Sequence, residues 1–230
     1  MDIRIESLLG GAAHATGVVA IIDVFRAFST AAVALANGAA RIIMVSGVDE
    51  ALALRDVGAG QLVMGEVQGA RPAGFDLGNS PFEASSIDFT GKTIIQRTSA
   101  GTRGIAAANH ATRLYAAALV TATATTRGML AENPEQITLV AMGKNAVERT
   151  DEDELCALHL RNLLQGRAGD AAAVRRVILA GGEARRFHDP ARPYLHPEDL
   201  DIALDIDRYD FAIRVTREDG HLVARMERPG

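Results

Sequence analysis

GVVAIIDVFRAFSTAAVALANGAARIIMV, residues 17–45, is the stretch whose reading decides the fold. Its opening run, 17–24, is apolar and β-branched with no polar alternation, as expected of a strand buried on both faces. Residues 29–37 are small and apolar at helical spacing, with Ser29 or Thr30 as the N-cap and Gly38 as the stop. Residues 41–45 (RIIMV) form a second buried run. Strand, helix and strand in so short a space predict a right-handed crossover between parallel strands.

The same alternation extends outward. A helix over 49–56 ends near Gly58 and leads to a strand at 61–65. Strands at 92–97, 113–118 and 136–141 are each followed by a helical pattern, at 101–110, about 121–131 and 150–164. Near the end, 210–215 and 221–225 flank a turn at 216–220 and read as a hairpin. The expected architecture is a three-layer α/β domain spanning 1–230. It has a mostly parallel or mixed sheet, helices on both faces and a C-terminal antiparallel hairpin, with a sub-lobe boundary near 111–135. Residues 169–197 carry no readable period.

Composition narrows the function. Of 230 residues, 48% are hydrophobic and 23% charged, which supports a full core, and the net charge is −5. An acidic chain without a basic stripe is a poor nucleic-acid binder. If it binds an anion, it must gather positive charge or a metal locally. No apolar run reaches the roughly 18 residues that span a bilayer, and MDIRIESLLGG lacks the apolar centre of a signal peptide. Cys156 is the single cysteine, which excludes a disulfide framework and points to the cytoplasm. There is no P-loop, dinucleotide glycine motif or G-x-S-x-G elbow. Phe25 stands where a second aspartate would follow Asp23 in an aspartyl-nucleophile phosphatase.

In open parallel sheets, ligands bind beyond the carboxyl ends of the strands. Those positions here hold Asp23 and Arg26, then Glu66, then Thr98-Ser99-Ala100-Gly101-Thr102-Arg103, then Gly143-Lys144-Asn145. Residues 98–103 could cradle an anion, with Gly101 allowing close approach and Arg103 forking onto phosphate oxygens; ordinary helix capping explains the segment equally well. Asp23 could hold Mg²⁺, which favours one or two carboxylates plus phosphate oxygens, or could pair with Arg26. Glu66 reads as a second metal ligand, a general base or a solvated carboxylate. The loop 66–81 contains Gly74-Phe75-Asp76-Leu77-Gly78-Asn79-Ser80-Pro81, richer in turn residues than one turn needs. At 150–154 the spacing of Thr150 and Asp153 fits a capping box better than a metal site.

These residues resemble the 2-phosphosulfolactate phosphatases. The resemblance rests on IIDVFRAFSTAAVALANGA (21–39), MGEVQGARPAGFDLGNSPFE (64–83), GKTIIQRTSAGTRGI (91–105) and, more weakly, TDEDELCA (150–157). It implies an α/β fold and Mg²⁺-dependent hydrolysis of a phosphate ester on a sulfonated lactate, on the route to coenzyme M. It implies catalytic Asp23, Arg26, Glu66 and Arg103. Substrate contacts would come from Ser29, Asp76, Asn79, Ser80, Thr98, Ser99, Gly101 and Thr102, and Mg²⁺ ligands from Asp23, Glu66, Glu152 and Asp153. The partner is then a small anionic phosphorylated substrate, without nucleic acid or membrane, and a homodimer is left open. A non-catalytic anion-binding relative and a phospho-acid lyase or isomerase are the alternatives. The chain departs from the family pattern at Val67, where the family reads Arg, at Ala100, where it reads Asn, and at 142–145; Arg71 or Lys144 could replace the lost anion contacts.

Overall fold

The computed structural model describes residues 1–131 and 133–230. The chain runs β1 (Asp2–Ser7), α1 (Leu8–His14), β2 (Gly17–Ile22), α2 (Ala27–Ala36), β3 (Arg41–Val45), α3 (Val48–Asp56), β4 (Leu62–Gly65) and α4 (Pro81–Ser85). It continues with β5 (Thr93–Arg97), α5 (Gly101–Ala107), β6 (Ala111–Ala117), α6 (Ala122–Leu130), β7 (Gln136–Ala141), α7 (Asp151–Leu164), α8 (Ala171–Ala180), α9 (Gly182–Arg185) and α10 (Pro197–Ala203). The hairpin strands β8 (Ala212–Glu218) and β9 (His221–Glu227) end it. The α/β class, the mixed and mostly parallel sheet, the helices on both faces and the hairpin agree with the sequence reading. No helix among the described residues is long and apolar enough to cross a membrane.

Among the described residues the sheet has nine strands, ordered β1-β7-β2-β6-β8-β9-β3-β5-β4. The hairpin is not an appendage. It sits mid-sheet, with β8 antiparallel to β6 and β9 antiparallel to β3. Two parallel groups, β1-β7-β2-β6 and β3-β5-β4, therefore run in opposite senses. In a flat sheet the end of β2 and the end of β5 would point apart. Strand twist of roughly 20–25° per step, accumulated over the five steps from β2 to β5, turns them roughly 100–125° back towards each other. Their loops do touch, as the Asp23–Gly101 contact below shows.

Alternating strand residues feed two layers. Val19 and Ile21 of β2 pack with Phe28 and Leu35 of α2 and Ile105 of α5. Val18, Ala20 and Ile22 pack on the other face with Met129 of α6 and Cys156 and Leu160 of α7. Under α3, Ile43, Val63 and Ile95 close the far end.

Candidate active site

Asp23 follows β2 and is buried, with 6% exposure. Its Oδ1 accepts the Ala27 N–H at 3.1 Å, and its Oδ2 accepts the Gly101 N–H at 2.8 Å. One carboxylate thus ties the start of α2 to the start of α5. Gly101 has no room for a side chain, because a Cβ would lie 2.9 Å from Ala27 Cβ, Asp23 Oδ2 and Phe28 Cζ. Gly101→Ala is expected to cost about 1–3 kcal/mol of stability, the usual penalty for overpacking, and to displace Asp23. A chemical-denaturation midpoint equal to wild type would contradict this packing.

Asp153 of α7 stands behind Asp23. Its oxygens accept from Val24 N–H and Gly143 N–H, each at 2.8 Å. The capping box anticipated at Thr150 does not form, since Thr150 makes no side-chain cap bond and Asp153 is spent on the β2 and β7 loops. Gly143 takes a left-handed φ of +62°, and a Cβ there would meet the Glu148 carbonyl at 2.1 Å. Next to Asp153, Glu152 is buried, and its Oε2 has no hydrogen-bond partner.

Burial dominates the electrostatics of these acids. It pushes the Asp23 carboxyl up to about 7, with nearby Glu66 adding to the rise and the Ala27 and Gly101 N–H groups and Arg26 opposing it. Burial likewise raises Glu152 and Asp153 well above the usual range, each aided by a neighbouring acid. Acids raised in this way hold more protons folded than unfolded, so stability falls as pH rises through their folded range. His159, lowered by burial, works in the opposite sense only below its ordinary value near 6.5. The metal-free protein should therefore melt at progressively lower temperature from pH 6.5 to 8, and added Mg²⁺ should reduce the decline. A melting temperature that climbs over that window would contradict the burial of these carboxyls.

Glu66 follows β4. Its carboxylate accepts from Ser99 N–H, from Ser99 Oγ at 3.1 Å and from Gly69 N–H at 2.6 Å, joining the β4 and β5 loops. Thr98 and Thr102 lock the β5–α5 turn reciprocally, Thr98 N–H onto Thr102 Oγ1 at 2.8 Å and Thr102 N–H onto Thr98 Oγ1 at 3.0 Å.

A cavity of about 390 Å³ opens above these loops. Of the residues anticipated as site members, Asp23, Arg26, Glu66, Asn79, Ser99 and Glu152 line it, and Asn79 Oδ1 is buried without a partner. Others lie elsewhere. Ser29 donates to the Val24 carbonyl at 2.9 Å, and Asp76 accepts the Val63 N–H at 2.7 Å. Ser80 donates to Asp199 at 2.6 Å and caps α4 through the Glu83 N–H. Thr98, Gly101, Thr102 and Asp153 are buried and do not line the cavity. Arg103 braces the Ser99 and Asn145 carbonyls at 3.3 and 3.4 Å and does not line the cavity. Arg26 does, but its guanidinium is engaged by Asp199 and the Tyr194 carbonyl, both at 2.8 Å, and by the Gly69 carbonyl at 3.2 Å.

The rest of the wall comes from the segment 169–197, which carries no readable period. Glu183, Arg186, Phe187, Arg192 and Tyr194 all face the cavity. Phe187 packs edge-on against Phe25 with centroids 5.1 Å apart, which seats the segment beside Asp23. The only signal in the sequence is the cluster Arg185, Arg186 and Arg192.

A family model for 2-phosphosulpholactate phosphatase matches residues 5–190. The chain belongs to the 2-phosphosulfolactate phosphatase family. It is 31% identical over 206 residues to the "Probable 2-phosphosulfolactate phosphatase" of Bacillus subtilis (strain 168), covering 88% of each chain. Proteins of the same name from Deinococcus radiodurans and Prochlorococcus marinus (strain MIT 9313) are 34% and 36% identical, over 79% and 74% of this chain and 77% and 72% of theirs.

Within this phosphosulfolactate phosphatase family chain, Ala100 lines the cavity and Val67 is exposed outside it. Lys144 lines it too, 3.7 Å from Glu148, while Arg71 does not. Among the described residues no three His, Cys, Asp or Glu side chains converge closely enough to form a metal cage. Mg²⁺ needs less than that, because it keeps waters and shares phosphate oxygens. Three residues of the cavity wall carry buried oxygens without a partner, Asn79 Oδ1, Thr150 Oγ1 and Glu152 Oε2, all hard donors of the kind it prefers, and they share the cavity with Asp23.

Proposed function

We propose that the chain is a cytoplasmic, Mg²⁺-dependent phosphoric-monoester hydrolase acting on 2-phosphosulfolactate or a close phosphorylated hydroxy acid. The observation that carries the reading is the set of partnerless buried oxygens, Asn79 Oδ1, Glu152 Oε2 and the neighbouring Thr150 Oγ1, on residues that share a cavity with Asp23. A buried unsatisfied polar atom costs about 1–3 kcal/mol, and a cation held by Glu152, Asn79 and Asp23 would remove that cost. Bound there, Mg²⁺ would supply charge neutralisation on the phosphate.

The chain's own groups do the rest. Glu66 fixes Ser99, whose hydroxyl borders the cavity. Lys144 meets non-bridging phosphate oxygens. Asp23 keeps lone pairs beyond its two N–H bonds and, as a carboxylate, accepts the proton of the attacking water at Oδ1 or Oδ2. Asp153 and Gly101 hold Asp23 and its loop in place. Phe187 and Leu195 exclude bulk water from one side.

The test is phosphate release from 2-phosphosulfolactate, with Mg²⁺ and with excess chelator. Release with Mg²⁺ alone is expected. Binding with no release under either condition would instead support a non-catalytic anion binder, the reading that Ala100 in the cavity wall favours.

A further inference from the structure

We propose that Arg186 and Arg192 determine specificity, taking an anionic carboxylate or sulfonate group that the substrate carries away from its phosphate. This rests on the phosphatase reading of the same cavity. The acids that would hold a metal are Asp23 and Glu152, and the cavity must answer a substrate's further negative charge elsewhere. Few cations are placed to do so. Arg26 is bound to Asp199 and two carbonyls. Arg97 donates to the Glu66 carbonyl and Ser99 Oγ, and Arg103 to the Ser99 and Asn145 carbonyls; neither lines the cavity. Lys144, Arg186 and Arg192 remain, and only the two arginines lie on the segment that follows α8.

Each arginine has capacity to spare. Arg186 pairs with Glu183 through Nη1, yet its Nε is buried with no acceptor. A planar guanidinium with an unused donor beside a polar cavity suits a carboxylate or sulfonate. Arg192 makes one loose pair, Nε to Asp189 at 3.4 Å, and its side chain is 36% exposed. The segment is held against the floor by the Arg26–Tyr194 bond and by Phe25 on Phe187, so the arginines are presented by a fixed wall. Arg192 also lies beyond residues 5–190, the span matched by the family model. The wall thus adds cations to a cavity that Ala100 lines with only a methyl group.

The experiment compares kcat/KM for three esters: 2-phosphosulfolactate, 2-phospholactate and isopropyl phosphate, which has no second anion. It uses the full chain, Arg186→Ala and Arg192→Ala, each checked for a wild-type circular dichroism spectrum. Wild type should prefer the acid esters. In each variant the ratio of kcat/KM for 2-phosphosulfolactate to that for isopropyl phosphate should fall at least tenfold, chiefly through KM. The ester that loses most identifies which anion each arginine holds. Wild-type turnover with an unchanged ratio in both variants overturns this assignment alone, as does an equal fall for all three esters. Wild type inert towards every ester overturns the phosphatase reading and this assignment with it. If Arg186→Ala does not fold, the Arg192→Ala variant, at a partly exposed position, decides the question by the same ratio.

Discussion

Asp23→Asn is expected to lower kcat for phosphate release by about 10²–10⁴, the range a positioned general base supplies. The reason is local. Asparagine keeps one acceptor for the Ala27 or Gly101 N–H, but its amide then turns an N–H towards the other donor. It also cannot accept a proton or neutralise a cation. Stability should change much less than activity. The lost hydrogen bond costs about 0.5–1.5 kcal/mol, while removing a carboxyl whose ionisation is opposed by burial works in the other direction. Steady-state kinetics and a denaturation midpoint on the same preparation check both halves. Wild-type turnover would remove Asp23 from the chemistry.

The largest effect on stability is expected at Asp199, a residue outside the cavity. It is completely buried and accepts from Arg26 Nη1 at 2.8 Å, Ser80 Oγ at 2.6 Å and Phe82 N–H at 3.1 Å. Four segments meet there: the β2–α2 loop, α4, the stretch of chain at 194–196 and α10. Asp199→Ala leaves the Arg26 guanidinium buried without its counter-charge, and breaking such a pair from one side costs about 3–5 kcal/mol. Asp199→Asn keeps the shape and one acceptor, so it should lose less. Urea titration of the two variants tests this, and a loss below about 1 kcal/mol for alanine would show that the pair does not hold these segments.

Most of the sheet is legible in the sequence because its strands are continuous apolar runs. The helix starts are less so: α2 begins at Ala27 behind Arg26, with the expected cap residues Ser29 and Thr30 inside it, and neither α2 nor α7 has a side-chain cap. β1 escapes that reading. DIRIES is an edge strand that alternates exposed and half-buried residues, and six residues of alternation directly after Met1 look like a tail. The mid-sheet position of the hairpin is not legible either. Strand order is set by which edges pair, and a hairpin reads the same at an edge or in the middle. Its central place runs the two parallel groups in opposite senses, yet the Asp23 and Gly101 loops still meet.

The site divides in a similar way. Carboxylates at strand ends are visible as chemistry, so Asp23 and Glu66 stand out from the residue order alone. Glu152, in the first turn of α7, is reached only through the family resemblance. What a side chain does once there depends on its neighbours. Arg26 looks free to hold phosphate until Asp199 arrives from 173 residues away. Arg103 and Asp76 look like ligand contacts and turn out to brace backbone. The wall at 183–195 shows no motif, and it is seated at the cavity by Phe187 and Tyr194 docking on Phe25 and Arg26.

The claim on which the rest depends is that Asp23, Asn79 and Glu152 share one divalent cation beneath the phosphate. Anomalous scattering from crystals grown with Mn²⁺ and inorganic phosphate tests it directly. The account predicts a single strong Mn²⁺ peak within coordination distance of Asn79 Oδ1 and a Glu152 oxygen, with phosphate density on the cavity side of it. A cavity holding phosphate and no metal, or Mn²⁺ bound only at surface carboxylates, would contradict it.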